Sequence, residues 1–144
     1  MKSRKYIIFT VSLIMVFFSN SCKDTQNKVV PYVYVNFYIE PNSLQYENIN
    51  TIGNSIYVTG GNKGIIIYRK STDEFMAFDR TCTYDPDEPE SIIEIMEQGT
   101  PIGIDSLCGS KFLLLDGMPF EGPATIPLLQ YRTNFDGIRL HVYN

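Results

Sequence analysis

GIIIYRKSTDEFMAFDRTC, residues 64–82, reads as strand, turn, strand. Ile65 to Arg69 is a short run of β-branched and aromatic residues, and Ser71-Thr72-Asp73 supplies turn chemistry. Glu74 to Asp79 continues as a second strand, with Phe75, Ala77 and Met76 as its packed residues. Upstream, Ser55 to Thr59 pairs with the first of these strands across Gly60-Gly61-Asn62-Lys63-Gly64, a hairpin. Tyr32 to Ile39, opened by Pro31, alternates: Tyr32, Tyr34, Asn36 and Tyr38 on one face, Val33, Val35, Phe37 and Ile39 on the other. Pro41 to Thr51 is polar and reads as a loop. Downstream, Asp85-Pro86-Asp87-Glu88-Pro89-Glu90 breaks the pattern, and Ser91 to Met96, Ile102 to Ile104 and Lys111 to Leu115 read as short strands. Leu128 to Thr133 and Ile138 to Tyr143 close a hairpin over Asn134-Phe135-Asp136-Gly137, with Ile138, Leu140 and Val142 inward and His141 outward. No segment keeps a helical period, and the chain carries ten Tyr and nine Phe. Short strands with turn signals every eight to twelve residues predict an all-β sandwich or barrel.

The N-terminal residues read as a targeting segment. Lys2, Arg4 and Lys5 precede an apolar run from Tyr6 to Phe18. As a helix that run is about 20 Å long, short of the ~30 Å hydrocarbon core, so it fits a signal peptide over residues 1–21 better than a spanning helix. Ser19-Asn20-Ser21-Cys22 resembles a bacterial lipobox, which implies lipidation of Cys22 and a membrane link through the lipid. Lys23-Asp24 resembles the Lys-plus-acidic signal of Bacteroidetes surface lipoproteins. The expected location is the cell envelope, at the outer membrane. Residues 22–30 are then the lipidated cysteine and a polar tether, and residues 31–144 a single domain. Without residues 1–21 the chain keeps nine Lys and Arg against sixteen Asp and Glu. That negative balance disfavours nucleic acid or anionic lipid as a partner of the protein surface. With Cys22 acylated, Cys82 and Cys108 remain, an even pair in an oxidising compartment and a candidate disulfide.

Two segments carry a family resemblance. Cys82-Thr83-Tyr84 is followed about twenty residues later by Asp105-Ser106-Leu107-Cys108-Gly109-Ser110-Lys111-Phe112. A Rieske domain carries C-x-H and C-x-x-H-G-S-x-F at similar places. GPATIPLLQYRTNFDGIRLHV, residues 122–142, resembles the same family's closing segment. The resemblance implies three small antiparallel sheets, with roughly residues 80–114 as the inserted cluster-binding subdomain. It also implies a ligand set, and three of its four positions are changed. Cys82 stands at the first thiolate, Tyr84 at the first imidazole, Asp105 at the second thiolate and Cys108 at the second imidazole. A Rieske centre needs two thiolates and two imidazoles, and the chain has one histidine. No [2Fe–2S] cluster is therefore expected. In the family fold the two ligand loops meet at one tip, so the resemblance also implies that Cys82 and Cys108 lie together. A structural disulfide, free buried thiols and a catalytic redox pair are the three states open to them. A disulfide would close a 27-residue loop, for roughly 3–4 kcal/mol of chain-entropy stabilisation.

Other motifs have plainer readings. The acidic stretch 85–90 has prolines where a calcium loop has glycine and spaced ligands, and reads as a solvated loop. Gly60 to Gly64 is followed by a strand rather than a helix, so it is a turn and not a phosphate loop. Ser110 has no His–Asp pair to act with and reads as a turn cap. The tyrosine stripe of the first strand can stack on sugar rings, but packing against a neighbouring strand or partner is the simpler reading. The expected role is non-enzymatic, binding or structural. The alternative is an oxidoreductase or electron-transfer protein using Cys82 and Cys108 or an atypical metal.

Overall fold

The computed structural model describes residues 29–144. The expected signal peptide, Cys22 and tether residues 22–28 lie outside the described residues. Among the described residues, ten strands form two antiparallel sheets. The larger runs β1 (Asn36–Ile39), β10 (Leu140–Tyr143), β9 (Gln130–Phe135), β4 (Phe75–Asp79), β3 (Ile65–Arg69), β2 (Ser55–Val58). The smaller is β5 (Ile93–Ile95), β6 (Ile102–Asp105), β7 (Lys111–Leu113), β8 (Pro119–Glu121), and it is inserted between β4 and β9. The three sheets implied by the resemblance are here two, because β9 serves both halves of the larger one. Its start pairs with β4 (Ala77 with Tyr131) and its end with β10 (Phe135 with Leu140).

The Ile65-Ile66-Ile67 run is explained by burial on both faces. Ile65 and Ile67 pack with Val35, Ile39, Ile49 and Val142 on one side. Ile66 and Tyr68 pack with Phe78, Cys82, Ile93 and Phe112 on the other. β3 is thus the wall between two cores, which requires an apolar run rather than an alternation. Arg69 ends that run buried, at 6 % exposure. Its guanidinium donates to the carbonyls of Ile49, Asn50, Ser71 and Thr72 and to Asn42 Oδ1, so the buried charge is satisfied by hydrogen bonds.

Several boundaries differ from the sequence reading. The first strand is paired only from Asn36, because β10 ends at Tyr143 opposite it. Before that register the Asn144 side chain takes over, accepting from Val35 N (3.1 Å) and donating to Val33 O (2.8 Å). Residues 44–50, read as loop, form a 3-10 helix that inserts Ile49 into the core. Leu44 of this stretch is exposed and only Ile49 is fully buried, so the sequence shows no sustained apolar period to detect. Ile138, expected inward, is 68 % exposed. It lies in the turn, where Asp136 Oδ1 accepts from the Ile138 and Arg139 amides. The inserted sheet runs on to Glu121 in β8, past residue 114. It is tied back to the larger sheet at the edge strand β2: Gln98 bonds both Ser55 N and Ser55 O at 3.0 Å, and the Tyr57 hydroxyl accepts from Ile95 N.

Candidate functional site

The two segments singled out in sequence form one tip. The first is placed by the end of β4. Asp79 Oδ1 accepts from Thr81 N (2.8 Å) and Thr81 Oγ1 (2.5 Å), which turns the chain inward. Thr81 bridges to Ile92, and Cys82 follows, fully buried in the second core. Tyr84, two residues on, is 51 % exposed. Lys63 of the Gly60–Gly64 turn holds the far side of this loop, donating to the carbonyls of Glu88 and Ser91.

The second segment follows β6. Asp105 Oδ1 accepts from Leu107 N at 2.8 Å, and Asp105 O accepts from Gly109 N at 2.8 Å, closing a tight turn. Gly122 of the following segment packs directly on this turn. A Cβ there would fall 2.5 Å from the Ser110 Cα, so only glycine fits. Ser110 is buried, and its Oγ accepts from Ala124 N at 3.1 Å, in keeping with a capping role.

These turns bring Cys82, Asp105 and Cys108 together. Their donor atoms all lie within 4.8 Å of one another. The sulfurs of Cys82 and Cys108 are 3.8 Å apart and both thiols are free. A disulfide bond is about 2.05 Å long, so the structure holds this candidate pair adjacent and unbonded. Cys108 Sγ is within hydrogen-bond distance of Asp105 Oδ2 (3.3 Å) and Ser110 Oγ (3.1 Å). Ser91 Oγ donates to Asp105 Oδ2 at 2.6 Å. Sequence reasoning missed Ser91, because it lies 14 residues from Asp105 and meets it only through the pairing of β5 with β6.

The electrostatics follow from burial and these bonds. Burial, then the hydrogen bond to Asp105, pushes the Cys82 thiol up to about 12. Burial alone would raise Asp105 as well. Hydrogen bonds from Ser91, Cys82, the Leu107 amide and Cys108 outweigh it and hold the carboxyl below its ordinary range. Cys82 is therefore a protonated, enclosed thiol in this state, while Cys108 is only half-buried.

The donor set does not fit a Rieske centre. The one histidine of the chain, His141, is on β10, with its ring stacked between Tyr38 (4.2 Å) and Tyr143 (4.5 Å) and its Nε2 2.8 Å from Asn36 Oδ1. It belongs to the outer face of the larger sheet, among the exposed tyrosines of the first strand. Tyr38 of that stripe thus finds its stacking partner on the neighbouring strand.

No family profile and no curated protein matches the chain. Among solved structures, it is similar to a chain of the complex of reduced oxygenase and oxidized ferredoxin in carbazole 1,9a-dioxygenase. The identity is 25 %, over 65 % of this chain and 82 % of that one, with a TM-score of 0.48. It is also similar to the ferredoxin of carbazole 1,9a-dioxygenase from Nocardioides aromaticivorans IC177. There the identity is 16 %, over 67 % of this chain and 91 % of that one, with a TM-score of 0.46. The fold is all-β, with a small antiparallel sheet inserted into a larger one and the two-loop tip at its end.

Proposed function

We propose that this is a cell-envelope lipoprotein, anchored through Cys22, whose Rieske-like domain works without a [2Fe–2S] cluster in a non-enzymatic binding or structural role. The observation that carries the reading is the composition of the tip. Cys82, Asp105 and Cys108 converge where two thiolates and two imidazoles would be needed, and His141 is engaged elsewhere. The shell of Ser91, Ser110 and backbone amides stabilises this arrangement as it stands. The test is an anaerobic purification of the full chain followed by iron analysis and absorption spectroscopy. The expected result is no stoichiometric iron and no visible band. Stoichiometric iron with a visible band would overturn the reading.

One observation favours a second reading, an oxidoreductase or electron-transfer protein using the cysteines. Sulfurs 3.8 Å apart need only a small movement to bond. Oxidation would form one S–S bond and pass two electrons and two protons to a disulfide-bearing acceptor. Against it, thiol exchange runs through the thiolate, and Cys82 is buried and held protonated. A redox titration that finds the 82–108 pair cycling at the potential of a thiol–disulfide buffer would favour this reading over the first.

A further inference from the structure

We propose that the tip is a mononuclear site for a borderline-soft divalent cation, Zn(II) by donor chemistry, ligated by Cys82 Sγ, Cys108 Sγ and Asp105. The inference deepens the binding role proposed above and rests on it. Two thiolates at the ~2.3 Å Zn–S distance and a tetrahedral angle stand about 3.8 Å apart. The two sulfurs are 3.8 Å apart. A thiolate and a carboxylate oxygen on the same ion stand about 3.5 Å apart. Cys108 Sγ and Asp105 Oδ2 are 3.3 Å apart. Two side chains in van der Waals contact give one such distance; here a third donor joins them, with all three inside 4.8 Å.

The surroundings match what a metal site requires. Asp105 and Cys82 are fully buried, so neither is a surface carboxylate or a chance surface thiol. The carboxylate is oriented by Ser91 Oγ at 2.6 Å and by Leu107 N at 2.8 Å, the kind of outer partners that fix a ligand. Half-buried Cys108 marks the side from which an ion would enter. Sulfur with one oxygen selects Zn(II) over Mg(II) or Ca(II), which take oxygen alone. Binding turns both thiols into thiolates and releases two protons to solvent.

The test uses the reduced full chain in detergent, titrated with Zn(II) and, as a spectroscopic probe, Co(II). One Zn(II) per chain is expected, together with a thiolate-to-cobalt charge-transfer band. Cys108→Ser, at a half-buried position, should remove the band and weaken Zn(II) binding by about 100-fold or more, with circular dichroism unchanged. Ser91→Ala, which loses only an orienting bond, should weaken it about 10-fold. If Cys82→Ser fails to fold, these two variants still decide the matter. Equal Zn(II) uptake by wild type and Cys108→Ser, or no uptake by the reduced chain, overturns the metal site and leaves the binding role standing. An iron–sulfur spectrum in the protein as isolated overturns both.

Discussion

The hydroxyl of Tyr131 donates to Oδ2 of Asp79 at 2.8 Å inside the core, joining β9 to β4. The same oxygen accepts from Asn62 N at 2.6 Å, so one buried carboxylate fastens the β2–β3 turn to both strands. Tyr131→Phe removes one donor and should cost about 1–3 kcal/mol in denaturant unfolding. Gly61→Ala should cost more than Tyr131→Phe. A Cβ there would sit near both Asp79 Oδ2 and the Tyr131 hydroxyl, at 2.6 Å from the latter, and break the whole junction.

Stability should fall on the alkaline side. Tyr131 is raised above its ordinary 10.0 by burial and then by Asp79, and Cys82 is raised from 9.0 to about 12 by burial and then by Asp105. For both groups the folded state holds the proton more tightly than the unfolded chain. Their contribution is complete below 9.0 and is lost as pH rises through the folded values. Thermal melts across this range should show a declining Tm, and Tyr131→Phe should flatten the decline above 10.0.

The two cysteines should react unequally. Cys82 is fully buried, and Cys108 is not. Under native, reducing, chelated conditions, alkylation followed by peptide mass spectrometry should label Cys108 first. Cys82 should be labelled only at the rate of global opening. Simultaneous labelling of both would mean that the tip opens as a unit.

Gly122→Ala should disturb the tip without touching its donors. Gly122 has φ +90°, and the added carbon meets Ser110 Cα at 2.5 Å. The strain falls on the turn that carries Asp105 and Cys108. Hydrogen exchange should quicken at the Asp105 and Gly109 amides, while the β1–β10 ladder keeps its protection.

The β-hairpins were legible because their signals are local. Residues 55–79 show three apolar runs and two turn clusters, and the strands fall where those predict. The meeting of Cys82 with Cys108 was legible only through the family pattern, since no local rule brings residues 26 apart into contact. Ser91 was invisible because a lone serine before an apolar run carries no signature. The 3-10 helix was missed because Ile49 is its one buried residue. The shared role of β9 was hidden for a different reason. A strand that changes partner partway along has the same side-chain alternation as one that does not.

The Gln98 side chain, bonded to both backbone groups of Ser55, stands in for one residue of a missing neighbour to β2. Unpaired sheet margins invite other chains to add on, and proteins cover them to stay monodisperse. The inserted sheet therefore guards one open margin of the larger sheet as well as presenting the two loops. A version of the chain trimmed of residues 82–121 would lose that guard and should self-associate through β2.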